Sequence, residues 1–317
     1  MSSSPVIQKE LNLVKKLIKN EIIEEKTISD LYKYIFNSNG KKLRAKLSLI
    51  SSSLNKRKNH KRLKLAAVIE LLHTATLIHD DVVDESQTRR GVKSVNNIWS
   101  NAHGVLIGDY IYSKAFILMV EIGETAILQE LANATNDISK GELLQLDALQ
   151  NTRISLEDLK AISYFKTGRL FEASAKTGAI LAGGDKSFVN NISKCAKYLG
   201  ILFQIKDDLL DYSLNETIIG KPVFQDMKEG KVTYPFYFAY KNGDKKNKEK
   251  LKSYLGKNKF NINSAYKLID QLGGIIETEH LAFEYLDKAK QSANSIKNKH
   301  IKEEMLKLID SALYRKK

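Results

Sequence analysis

The chain has 317 residues, 43% of them apolar, and 51 Lys and Arg against 37 Asp and Glu give a net charge of +14. That much apolar material supplies a globular core and excludes a disordered chain. The lone cysteine, Cys195, excludes an internal disulfide and fits a reducing, cytoplasmic setting. No basic stripe is interleaved with aromatics, so the positive charge does not point to nucleic acid. The first residues lack a signal-peptide core, and no run of about 18 apolar residues occurs, so a soluble protein is expected.

Proline occurs only at Pro5, Pro222 and Pro235, leaving the long stretch between the first two without a helix breaker. Apolar residues recur at three- and four-residue spacing over 11–23, 63–84, 107–122, 127–149, 156–181, 188–212, 234–240, 264–293 and 301–314, which predicts helices. Capping-box patterns mark two starts, at Thr27-Ile28-Ser29-Asp30 and Ser155-Leu156-Glu157-Asp158. The lysine- and asparagine-rich run 241–257 reads as a polar surface connection. Sustained alternation of strand type is absent, and no linker divides the chain. A single all-α domain over 1–317 is expected, with 63–84 as a central helix because it is apolar on more than one face.

Two aspartate clusters interrupt apolar runs, Asp80-Asp81-Val82-Val83-Asp84 and Asp207-Asp208-Leu209-Leu210-Asp211. On a helix the first and last acid of each cluster lie one turn apart on one face. Like charge so placed needs hard cations, and Mg²⁺ held by one or two carboxylates plus phosphate oxygens is the ordinary solution. His73 and Thr76 share the face of Asp80. The exit segment carries Arg89-Arg90, and a further cationic set, Gly40-Lys41-Lys42-Leu43-Arg44, opens another helix. Phe203-Gln204 introduces the second cluster, and glycine-bearing loops with Lys221 and Lys231 come after it. Metal-binding acids, several cations and deep apolar helices describe a site for a diphosphate head with a hydrocarbon tail.

These residues resemble the trans-isoprenyl diphosphate synthases. Their first motif, D-D-x-x-D followed by R-R-G, matches Asp80–Gly91, and their second, F-Q-x-x-D-D-x-x-D, matches Phe203–Asp211. The likeness runs through Gly108-Asp109-Tyr110, Gly141-Glu142, Lys166-Thr167-Gly168, 220–235 and Gly273-Gly274-Ile275, nearly the whole chain, and around 72–91 it is closest to bacterial octaprenyl-type members. It implies an all-α isoprenoid-synthase helical bundle around a deep central cavity, usually a homodimer, making long-chain polyprenyl diphosphates for quinone side chains. By position it implies three Mg²⁺ ions on Asp80, Asp84 and Asp207, with Asp81, Asp208 and Asp211 in support. It implies allylic diphosphate on Arg89, Lys166, Lys221 and Lys231, with Thr167 and Gln204 at its leaving end, and isopentenyl diphosphate on Lys41, Arg44, His73 and Arg90.

In this family the departed diphosphate is thought to take the proton lost after attack, so no Ser/His/Asp triad is needed. Residues below Asp80 then form a ruler for product length, since a helical turn rises about 5.4 Å. Ala75 and Thr76 are small enough to let a tail pass, and Phe116 and Met119 are candidates for a deeper floor. Release of so apolar a product implies transient contact with a membrane surface. Ala45, Phe224 and Tyr234 depart from the family pattern, which has Pro, Gly and Leu there. A short-chain farnesyl or geranylgeranyl diphosphate synthase, or a non-catalytic subunit of a heteromeric synthase, are the alternatives.

Overall fold

The computed structural model describes residues 4–20, 23–37, 40–55, 60–89, 91–213 and 223–313. Helix α1 (Pro5–Lys19) starts where the Ser4 hydroxyl accepts the Ile7 N–H and Pro5 fills the first turn, and it buries Ile7, Leu11, Val14 and Ile18 at helical spacing. α2 (Lys26–Asn37) begins before Thr27, so the first expected capping box lies inside the helix rather than at its start. α3 (Leu43–Ser51) runs into a short 3₁₀ turn (Ser52–Leu54). α4 (His60–Val83) is buried without interruption from Leu65 to Leu72, and α6 (Asn101–Ile122) packs along it. Between them lie a two-stranded hairpin, β1 (Thr88–Arg89) and β2 (Val92–Lys93), and the short α5 (Val95–Ile98).

α7 (Thr125–Asp147) is next, then α8 (Leu156–Ser163), which opens on a complete capping box between Ser155 and Asp158. The run predicted as one helix over 156–181 is interrupted by a π-helical turn (Tyr164–Gly168) before α9 (Arg169–Leu181). α10 (Lys186–Asp211) carries the second aspartate cluster. The short α11 (Gln225–Lys228) and α12 (Tyr234–Asn242) succeed it. The stretch 241–257, expected as a polar connection, instead contains α13 (Lys245–Tyr254). Asp244 caps it by accepting the Asn247 N–H at 2.8 Å. Leu251 within it and Leu255 at its C-terminal end are buried and anchor it. The predicted helix 264–293 is divided at Gly273 (φ 78°) into α14 (Ile262–Gln271) and α15 (Gly274–Asn294), and α16 (Lys299–Leu313) is last.

The described residues form two compact units, one within Met1–Thr135, Leu170–Ser193 and Ala293–Leu308, the other within Asn136–Arg169, Lys194–Ser292 and Ile309–Lys317. The first aspartate cluster belongs to the former and the second to the latter. Cys195 is buried, which pushes its thiol up to about 12 and leaves it inert. Among the described residues no helix is long and apolar enough to cross a membrane.

Candidate active site

In the first unit the chain leaves α4 through its acids. The Asp84 N–H still bonds the Asp80 carbonyl at 2.8 Å, so the two carboxylates stand one helical turn apart, both partly exposed. Asp81 is buried and holds the hairpin instead. Its Oδ1 accepts from Arg89 Nε at 2.8 Å and Nη2 at 2.5 Å. Burial pushes the Asp81 carboxyl above the usual range, against the pull of Arg89. The hairpin that presents Arg89 is pinned from several sides. Ser94 Oγ donates to the Ser86 carbonyl at 2.5 Å, Asn97 to the Gln87 carbonyl at 3.0 Å, and the Tyr34 hydroxyl to the Lys93 carbonyl at 2.6 Å. Arg90 lies outside the described residues.

Also in this unit, Arg44 Nη1 lies 2.9 Å from His73 Nε2, and its guanidinium stacks 4.6 Å over the ring of Phe171. Two residues expected to share an anion are thus adjacent, and exposed Lys41 lies two residues before α3. The acid behind them was not evident from the sequence. Buried Glu70 accepts the Ala45 N–H at 3.2 Å and pairs with Lys42 at 3.7 Å. Its signal was a charge within the most apolar stretch of α4. Ala75 is fully buried and Met119 nearly so, Thr76 bonds the His73 carbonyl at 2.9 Å, and Phe116 is 39% exposed. His79, also missed, stacks on Tyr112 at 6.5 Å and approaches Asp109 at 3.4 Å. Gly108 admits its ring, since a Cβ there would collide with His79 Nε2.

In the second unit the π-helical turn presents Lys166 and Thr167. Lys166 Nζ donates to Glu142 at 2.8 Å and Gln145 at 2.9 Å, while Thr167 Oγ1 donates to Gln204 Oε1 at 2.7 Å. Gly141 lets α7 abut the turn, because a Cβ would come within 2.8 Å of the Lys166 nitrogen. Gln204 Nε2 then donates to Asp208 at 2.8 Å. Asp211 caps α11, accepting from Gln225 N at 2.9 Å and Asp226 N at 3.2 Å. Burial, and next the charge of Asp226, push the Asp208 and Asp211 carboxyls well above the usual range. Asp226 was not singled out by the sequence, where a lone acid in a loop carries no spacing.

A cavity of about 90 Å³ in this unit is lined by Lys166, Gln204, Asp208, Asp226 and Lys231, and Lys231 pairs with Glu229 at 2.7 Å. Lys221 lies outside the described residues. Carboxylates crowd both places: Asp80, Asp81 and Asp84 all act on Arg89 in the first, and Asp226 adds its charge to Asp208 and Asp211 in the second. Among the described residues no three His, Cys, Asp or Glu side chains converge as a metal site, so a Mg²⁺ ion would take only one or two of these carboxylates, the rest of its shell coming from phosphate and water.

Comparison with known proteins agrees with this chemistry. The polyprenyl synthetase family profile matches residues 25–272. The octaprenyl diphosphate synthase of Escherichia coli (strain K12) is 36% identical over 264 residues, 83% of this chain and 82% of that protein. The crystal structure of a decaprenyl diphosphate synthase from Rhodobacter capsulatus superposes with a TM-score of 0.92 at 32% identity, covering 98% of each chain. That of a polyprenyl synthase from Caulobacter crescentus CB15, complexed with calcium and isoprenyl diphosphate, gives 0.93 at 32% identity over 100% of this chain and 99% of the other. An all-α fold of the isoprenoid-synthase type, two aspartate clusters, the first of them paired with Arg89, and a match over most of the sequence lead to one conclusion: the chain belongs to the polyprenyl synthetase family.

Proposed function

We propose that this protein is a Mg²⁺-dependent, cytoplasmic prenyltransferase. It elongates an allylic diphosphate such as farnesyl diphosphate through head-to-tail condensations with isopentenyl diphosphate to a long-chain all-trans-polyprenyl diphosphate for quinone side chains. The observation that carries this reading is the division of labour in the first cluster, where Asp81 is bonded to Arg89 while Asp80 and Asp84 stand one turn apart. Asp80, Asp84 and Asp207 are the proposed ligands of three Mg²⁺ ions, with Asp81, Asp208 and Asp211 holding the surrounding structure. Bound there, the metal would neutralise the diphosphate as it leaves.

The remaining roles belong to the chain. Arg89, Lys166, Lys221 and Lys231 bind the allylic diphosphate; Lys41, Arg44, His73 and Arg90 bind isopentenyl diphosphate. The allylic C–O bond breaks, the isopentenyl double bond attacks the resulting cation, and the proton shed from the new chain passes to the departed diphosphate. The Thr167 hydroxyl and Gln204 carbonyl present oxygen dipoles to the cation without adding to it. Ala75, Thr76, Phe116 and Met119 set the length. The protein works as a single catalytic domain and pairs with a second copy through the apolar stripe of α6, where Leu106 is 67% and Val120 68% exposed. Incubation with farnesyl diphosphate, labelled isopentenyl diphosphate and Mg²⁺, followed by sizing of the products, tests the assignment. Long-chain products are expected, and absence of any elongation would overturn it.

A further inference from the structure

Tyr234 stands where the family pattern has leucine, and its hydroxyl is engaged. It lies 2.9 Å from Ser163 Oγ, both residues being buried, at the last residue of α8 before the π-helical turn. The Tyr234 backbone N–H points the other way, to Asp208 Oδ2 at 3.4 Å. Asp208 Oδ1 accepts from Gln204 Nε2 at 2.8 Å, Gln204 Oε1 accepts from Thr167 Oγ1 at 2.7 Å, and Thr167 lies four residues after Ser163 on the same turn. The bonds therefore close a ring: Ser163, Tyr234, Asp208, Gln204, Thr167 and back along the chain to Ser163. Next to it, Thr233 Oγ1 donates to the buried Tyr212 hydroxyl at 3.0 Å, fixing the neighbouring residue to the end of α10.

We propose that Tyr234 is a positioning residue whose hydroxyl closes this ring and so fixes the Gln204 amide and the Thr167 hydroxyl in the orientation the condensation needs. Asp208 accepts through both oxygens, from the Tyr234 N–H and from Gln204 Nε2, and an amide between such an acceptor and a hydroxyl is satisfied with its nitrogen to the acid and its oxygen to the hydroxyl. That orientation draws the Thr167 proton towards Gln204 and leaves the Thr167 oxygen lone pairs for a developing cation. The arrangement holds only while Asp208 stays in place, and Tyr234 bonds Asp208 through its backbone while its side chain is tied to the turn that carries Thr167. Leucine would supply the backbone N–H but leave the ring open at Ser163. Because Thr167, Asp208 and Tyr234 are all buried, water is a poor substitute for a lost link.

This inference rests on the proposed prenyltransferase reading, and its test separates the two. Tyr234→Phe removes one oxygen, and Ser163→Ala removes its partner. Each is expected to lower kcat about three- to tenfold, the worth of one net hydrogen bond, while KM for isopentenyl diphosphate stays at the wild-type value. The double variant should be no slower than the slower single, and Ser163→Thr, which keeps a hydroxyl, should retain most of the wild-type kcat. Wild-type kcat in Tyr234→Phe would overturn the inference, as would losses that multiply in the double variant or a lowered melting temperature with no change in kcat. If the wild-type protein itself elongates nothing, the prenyltransferase reading fails instead.

Discussion

Phe224 adopts the left-handed conformation (φ 57°) at a position where the family pattern has glycine, and it is fully buried against Tyr212 at 4.9 Å and Phe260 at 6.2 Å. The strain of that backbone, about 1–2 kcal/mol, opposes a ring whose removal from a core costs about 3–5 kcal/mol. Phe224→Gly should therefore destabilise the fold by about 2 kcal/mol, measured by urea unfolding, even though it restores the commoner residue. A gain in stability would show that strain outweighs packing. Ala45 is a parallel case: its N–H bonds Glu70, which proline could not do. The clustered acids were legible in the sequence because their spacing repeats. Glu70, His79 and Asp226 were not, since each is a single polar residue whose meaning lies in the residues that fold against it.

At the scale of the element, the proposed reading makes the axial rise of α4 a ruler. Ala75, the fifth residue before Asp80, is completely buried, so a larger side chain there has no room to turn away. Ala75→Phe should shorten the product to the first one or two condensations while leaving the initial rate within about threefold, as read by chromatography of the products. Unchanged length would overturn the ruler. α10 and α11 bring Asp208, Asp211 and Asp226 together, and burial followed by mutual repulsion raises the first two. A carboxyl raised in the folded state favours folding below its unfolded value of about 4, and that contribution is lost as pH rises through the raised value. If Mg²⁺ binds beside these acids, as proposed, it would offset the loss, so its elevation of the melting temperature should be larger near pH 8 than near pH 5, by about a few degrees in differential scanning fluorimetry. Equal shifts at both pH values would dissociate the cation from these acids.

For the whole molecule, the apolar stripe of α6 is the surface feature that composition did not disclose. Leu106, Ile117 and Val120 are exposed along one helix of a chain whose net charge of +14 otherwise favours solvent. A two-fold contact pairs such a stripe with itself. Leu106→Glu with Val120→Glu should convert a dimer to monomers in analytical ultracentrifugation; a mass unchanged by the substitutions, or a monomeric wild type, would overturn the assignment. The all-α fold was legible because period 3.6 recurs nearly throughout. Local events were not: Asp244 and two buried leucines make a helix of a lysine-rich run, and one left-handed glycine breaks another. The π-helical turn at Tyr164–Gly168 is the least visible of these. Each extra residue in a turn rotates the rest of the helix by about 100°. Here it falls between Ser163 and α9, so the pairing of Thr167 with Gln204 depends on the number of residues in the turn as well as on their identities. A deletion of one residue would swing Thr167 away from Gln204 with every other side chain retained, so chain length at this point is itself inherited information.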